Sequence, residues 1–219
     1  GTWGKEGALD NVEWTEGVPL SEANPVDIEV DVVAVGGGAS GYKGGNYFPG
    51  GKAGEVGIVT LAFSDMPSSV DYTIGAGGVA SAGPLSSPGG DTVFGNLVRG
   101  AGGSDGNKQA AVTNAVGATP SMYGPGDGAG NGVLRNGGAS MYAEPQLTLP
   151  GATATTSAGK PGINGGGLTF GSGGSSGTSG SGGQGGRPGG GGGSTATGPT
   201  SGAGGAGAVI LRYYVWEKV

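Results

Sequence analysis

The sequence predicts an all-β protein with little or no α-helix, in which short β-strands at both ends bracket a glycine-rich core of packed polyglycine-II helices. Three observations carry this expectation. Glycine supplies 58 of the 219 residues and is densest in 165–207, where long side chains occur only at Leu168, Phe170, Gln184 and Arg187. Apolar runs with a period of two, or with β-branched and aromatic content, stand at 26–35 and 208–215. No stretch shows a sustained helical period; the nearest, 107–116, is too short and lacks a strong apolar face, so it reads as a loop.

The glycine tract decides between two physical outcomes. Fixing a glycine costs roughly 0.5–1 kcal/mol more than fixing an alanine, and a tract without large side chains cannot offset that by burying them. It is therefore a tether, or it folds by laying main chain against main chain. In the polyproline-II conformation the chain is a left-handed helix of about three residues per turn with no internal hydrogen bonds, so every N–H and C=O points outward. Neighbouring helices can receive them, provided no side chains hold the backbones apart. The collagen period of one glycine in three is absent, and a polyglycine-II bundle does not need it.

Taken in order, 1–25 forms an acidic, irregular lead-in anchored only by Trp3 and Trp14, and 26–219 forms the glycine-rich domain. Within the second, 26–35 alternates Val26, Ile28, Val30 and Val32 with Asp27, Glu29 and Asp31, which predicts a half-buried strand running into Gly36. Residues 55–63 and 69–74 are strands around the turn-like Ser64, Asp65, Met66 and Pro67, an arrangement that suggests a hairpin. Residues 91–98 offer two short extended pieces around Gly95. The closing strand, 208–215, is apolar on both faces and is expected between layers, and first and last strands could pair to close the structure.

Composition removes several function classes. With no Cys and no His there are no disulfides, no thiolate or imidazole metal ligands, and no catalysis built on those groups. A net charge of -6 argues against nucleic-acid binding, which needs a basic stripe. No apolar run reaches membrane-span length, so no membrane insertion is expected. Much of the acidity lies in the first thirty or so residues: Glu6, Asp10, Glu13, Glu16, Glu22, Asp27, Glu29 and Asp31 face only Lys5. That is either a solvated lead-in or a docking surface for a basic partner.

Three motifs look like sites and fail on context. Gly36, Gly38 and Gly41 match a dinucleotide fingerprint, with Glu55 near the ribose-binding position, but Pro49 and repeated glycines stand where the required helix would be. Gly51-Lys52 lacks the upstream glycine of a phosphate loop, and Ala53 replaces its hydroxyl residue. Asp91 and Asp127 sit in glycine–aspartate turns without the recurrent spacing of calcium repeats, and nothing pairs Asp91, Asp105, Asp127 or Glu144 as two catalytic carboxylates. No catalytic, cofactor or metal residue is assigned, and the chain is expected to be non-enzymatic.

The bulky residues of the mixed segments are more informative: Tyr42, Tyr47 and Phe48, Met122 and Tyr123, Met141 and Tyr142, Leu168 and Phe170. They either seal the ends of a glycine core or stand on loops, where rigid aromatics give contact area at low entropy cost.

The serial order VDVVAVGGGASG, EVGIVTL, VDYTIGAGG, GGDTVFGNLVRGAGG, further glycine tracts and GGAGAVILRYY resembles the glycine-rich C-terminal domain of bacteriophage tail fibres and tail-fibre tip adhesins, over about 26–219. The resemblance implies a polyglycine-II sandwich whose mixed segments, around 41–49, 80–88, 104–123 and 134–161, are receptor-contacting loops. By it, Tyr42, Tyr47, Phe48, Met122, Tyr123, Met141 and Tyr142 are receptor-contact candidates. The acidic start lies outside the pattern, and Trp3 and Trp14 are candidates for docking to the virion. The implied partners are other virion proteins and a host surface receptor, glycan or outer-membrane protein, with the chain as a homotrimer in the virion. A structural virion component, binding only other virion proteins, is the alternative. An ice-binding role suits the sequence less, since the mixed loops interrupt any flat repetitive face.

Overall fold

The computed structural model describes residues 1–9, 28–44, 50–103, 171, 174, 177 and 179–215. Among these residues, seven strands build two antiparallel sheets: β1 (Thr2–Gly4), β2 (Ile28–Val35), β3 (Val56–Ala62), β4 (Ser69–Thr73), β5 (Thr92–Phe94), β6 (Val98–Gly100) and β7 (Ala208–Val215). One sheet has the order β3-β2-β7 and the other β1-β4-β5-β6. The only helical element among the described residues is a 3-10 turn, Phe63–Asp65.

The alternation in β2 sets the first sheet. Ile28, Val30, Val32 and Ala34 point inward and are fully buried, and Val59, Phe63, Met66, Val70, Phe94 and Val98 complete the apolar core between the sheets. On the opposite face, Glu29 is exposed, and Asp31 accepts a hydrogen bond from the Thr60 hydroxyl at 2.6 Å. The first and last predicted strands do pair: β7 lies antiparallel to β2, with Val32 opposite Leu211.

The sequence-based hairpin at 55–74 is not formed. β3 pairs with β2, whereas β4 pairs with β1 and β5 in the other sheet. The reason lies in the connection, where buried Phe63 and Met66 fix the turn into the core and carry the chain from one layer to the other. The two pieces around Gly95 do form a hairpin, β5 with β6, and Gly95 takes a φ of +53° at its turn. β7 is less buried than its composition predicts: seven of its eight residues are half-buried and Tyr214 is exposed, because it is an edge strand of its sheet. The lead-in is also not wholly irregular, since Thr2–Gly4 extends the second sheet.

From this sandwich the chain continues into extended glycine segments. β2, β4 and β6 run directly into 36–41, 75–78 and 100–103, while 50–55, 87–91 and 201–207 lead into β3, β5 and β7. Hydrogen bonding identifies these segments as polyglycine-II helices. The N–H groups of Gly36 and Ala39 donate to Glu55 and Lys52, those of Gly37 and Ser40 to Gly90 and Ser87, and those of Gly38 and Gly41 to Gly205 and Gly202. Every third donor thus meets the same neighbour, the signature of three residues per turn. In return, the carbonyls of Gly37, Gly38 and Ala39 accept from Gly103, Gly78 and Gly192. The 36–41 helix is therefore ringed by six others, three that it donates to and three that donate to it.

The glycine-densest tract, 165–207, supplies two of the six ring helices, 190–194 and 201–207, and its other described residues form an outer layer. Gly171, Gly174 and Gly177 donate to Pro188, Gly191 and Ser194, again in steps of three, and Gly182 and Gly185 donate to Thr200 and Ala203. The glycines are needed for space rather than for conformation. Among the described glycines only Gly7, Gly44, Gly95 and Gly189 have positive φ, whereas a Cβ on Gly36, Gly38 or Gly204 would lie 1.9–2.2 Å from a neighbouring carbonyl oxygen.

Candidate functional site

The junctions between strand and helix lie at one end of the bundle, together with the turn 187–189, whose Gly189 donates to Ala206 and accepts from Gly54; most of the other described connections between helices gather at the opposite end. This end carries 42–44, the loop 79–86, and the turns 179–181 and 196–200. Hydroxyl side chains, the one common polar group in a glycine-rich text, pin the loops down. Ser40 and Ser87 form a reciprocal pair: the Ser40 N–H donates to the Ser87 carbonyl at 2.9 Å, and the Ser87 N–H donates to Ser40 Oγ at 2.7 Å. Ser81 and Ser201 repeat it, with both bonds at 2.9 Å. Fully buried Thr195 donates from its hydroxyl to the Gly180 carbonyl at 2.7 Å and accepts from the Gly198 N–H at 3.1 Å. Lys43 reaches over to the Pro199 carbonyl at 2.9 Å.

Against this fixed base two aliphatic side chains stand out. Val79 and Leu85 are 72% and 71% exposed, on a stretch from 75 to 90 that carries no charge. The sequence reading placed Leu85 within an expected loop, 80–88, but singled out neither residue. The signal was there: two bulky aliphatics, far from any periodic run, in a Gly/Ser/Pro segment that cannot form a core element.

Of the residues singled out from the sequence, Tyr42 is at this end, half-buried, with its carbonyl accepting from the Thr195 N–H at 2.9 Å. Tyr47, Phe48, Met122, Tyr123, Met141, Tyr142 and Trp14 lie outside the described residues, as do the loop assignment at 107–116, Leu168, Phe170 and the carboxylates Asp105, Asp127 and Glu144. Trp3 lies at the sandwich end, its ring edge-on to Phe94 at a centroid distance of 5.9 Å. It also hydrogen-bonds the Tyr213 side chain, which partly offsets the upward push of burial on the Tyr213 phenol.

The motif-bearing segments are structural. All the amides of 36–41 donate to protein carbonyls, and so does the Gly51 N–H, so none of them is presented to a phosphate. Glu55 is 3% exposed at the junction with β3. Asp91 ties the β5–β6 hairpin to the bundle through the Arg99 guanidinium and the Gly102 N–H.

Fold and site together define a β-sandwich continued into a hydrogen-bonded glycine rod with loops at its far end. The chain belongs to the glycine-rich domain family, whose profile matches residues 21–214. A search of curated proteins found no match.

Proposed function

We propose that the protein is a non-enzymatic bacteriophage virion component, a tail-fibre or receptor-binding tip that presents host-contacting loops on a stiff scaffold. The observation that carries the reading is the six-neighbour glycine rod with its loops gathered at one end. A loop held on a rigid base keeps its contact residues in place at low entropic cost on binding. The order of motifs resembling tail-fibre domains supplies the viral context. Multivalent display would raise a modest affinity per copy.

The test is a set of loop exchanges in the virion: 79–86 replaced by a glycine–serine loop, and Tyr47→Ala with Phe48→Ala. Adsorption to host cells is expected to fall while the melting temperature stays within a few degrees. Unchanged adsorption and host range, with labelled antibody locating the chain on the capsid, would instead favour a structural component that binds only virion proteins.

A further inference from the structure

Among the described residues the two sheets of the sandwich are unequal, and the difference leaves room for one strand. The β3-β2-β7 sheet has three strands and its partner four, and no described strand pairs with the outer edge of β7. β5 lies over β2 and β7, so β4 and β1 extend to the side where β7 has no neighbour among the described strands. Between them is a cleft of about 410 Å³, with Trp3, Tyr72, Ile74 and Phe94 on one wall and Val209 and Leu211 on the other. Its lining carries no charge, and Ile74 at its rim is 41% exposed. Natural edge strands are protected by charge, proline or shortness. β7 has eight residues, one charge, Arg212, and no proline.

We propose that this edge takes an extended peptide segment of a partner polypeptide, apolar at alternate positions, as an added fourth strand. Main-chain groups along the β7 edge provide the hydrogen bonds, and the aromatic wall receives the alternate side chains. A second copy's β7 does not fit. The two-fold axis that pairs identical antiparallel strands stands normal to the sheet, so both four-stranded sheets would fall on one side and their β4–β1 halves would claim the same space. The part of β7 that lines the cleft is also short, Ala208, Val209 and Leu211. Such a strand buries well under the roughly 1,200 Å² of a stand-alone dimer interface, which suits a segment already held nearby by an assembly. The proposal is independent of the loop-bearing end.

The probe is a short, capped synthetic peptide alternating threonine and valine, titrated into the 15N-labelled full chain. Amide shifts are expected at 207–211 and 72–74. They should be lost with the same peptide N-methylated at alternate amides, which keeps the side chains and removes the donors. Ile74→Lys, at an exposed rim, should weaken the probe by about tenfold or more with an unchanged melting temperature. Three results each overturn the proposal: no shifts at millimolar probe, equal binding of the N-methylated peptide, or a dimer in the absence of peptide that Ile74→Lys dissociates.

Discussion

Replacing Gly38 by alanine puts a methyl group at the centre of the rod. An ideal Cβ there lies 2.2 Å from the Gly190 carbonyl oxygen and 2.5 Å from its carbon, separations below the 3.0 Å that real Cβ atoms keep. One helix must therefore move by about 0.8 Å, the difference between 3.0 and 2.2 Å. Gly38 donates to Gly205 at 2.9 Å and accepts from Gly78 at 2.8 Å, and a shift of that size opens both bonds in a place water does not reach. A buried main-chain group left without its partner costs about 1–3 kcal/mol, so two of them predict a loss of about 2–6 kcal/mol. That is a large share of the roughly 5–15 kcal/mol of a whole domain. Denaturant unfolding of Gly38→Ala beside Gly83→Ala measures it. At Gly83 the nearest heavy atom to the new methyl is Ser81 Oγ at 3.9 Å, and the expected change is within about 0.5 kcal/mol. Equal stability of the two variants would refute main-chain contact as the source of the rod's cohesion.

Three further outcomes follow from the same geometry. Thr92→Val keeps shape but removes the Oγ1 that accepts the buried Gly75 N–H at 2.9 Å, and should lower unfolding free energy by about 1–3 kcal/mol. Amide exchange should be slowest across 36–41, although no residue there is in a sheet; exchange at free-peptide rates by mass spectrometry would contradict the bundle. Burial raises the Tyr213 pKa above its ordinary 10.0, so the unfolded chain ionises first. The stability tied to that phenol is whole below pH 10 and is lost as pH rises through the folded value, and Tyr213→Phe should lose less stability than the parent between pH 9 and pH 11 in denaturant titrations.

Strand identity was legible wherever one face had to be apolar. Alternation in 26–35 and the β-branched run at 208–215 located β2 and β7, and their pairing followed from their places at the two ends of the domain. Sheet membership was harder to read, because 55–63 and 69–74 look like a hairpin locally and only the burial of Phe63 and Met66 between the layers separates them. Bundle chemistry could be derived from glycine content, but its centre could not. Density of glycine points to 165–207 without saying which helix is central, and 36–41 holds that place because it leaves the middle strand of its sheet, where neighbours already flank it. At the loop end the sequence drew attention to aromatics such as Tyr42, while exposure singled out Val79 and Leu85, a distinction that depends on knowing where the rod stops.

The triad rhythm of the donors has a consequence for how such chains can diversify. Inserting one residue into 36–41 would turn every later N–H by about 120°, so that each faces the wrong neighbour, whereas a whole turn of about 9.3 Å restores the match. Shafts of this kind can lengthen only in threes and only together. The tips between them obey no such rule, so length variation is free to accumulate at one extremity of the molecule while the shaft beneath stays constant.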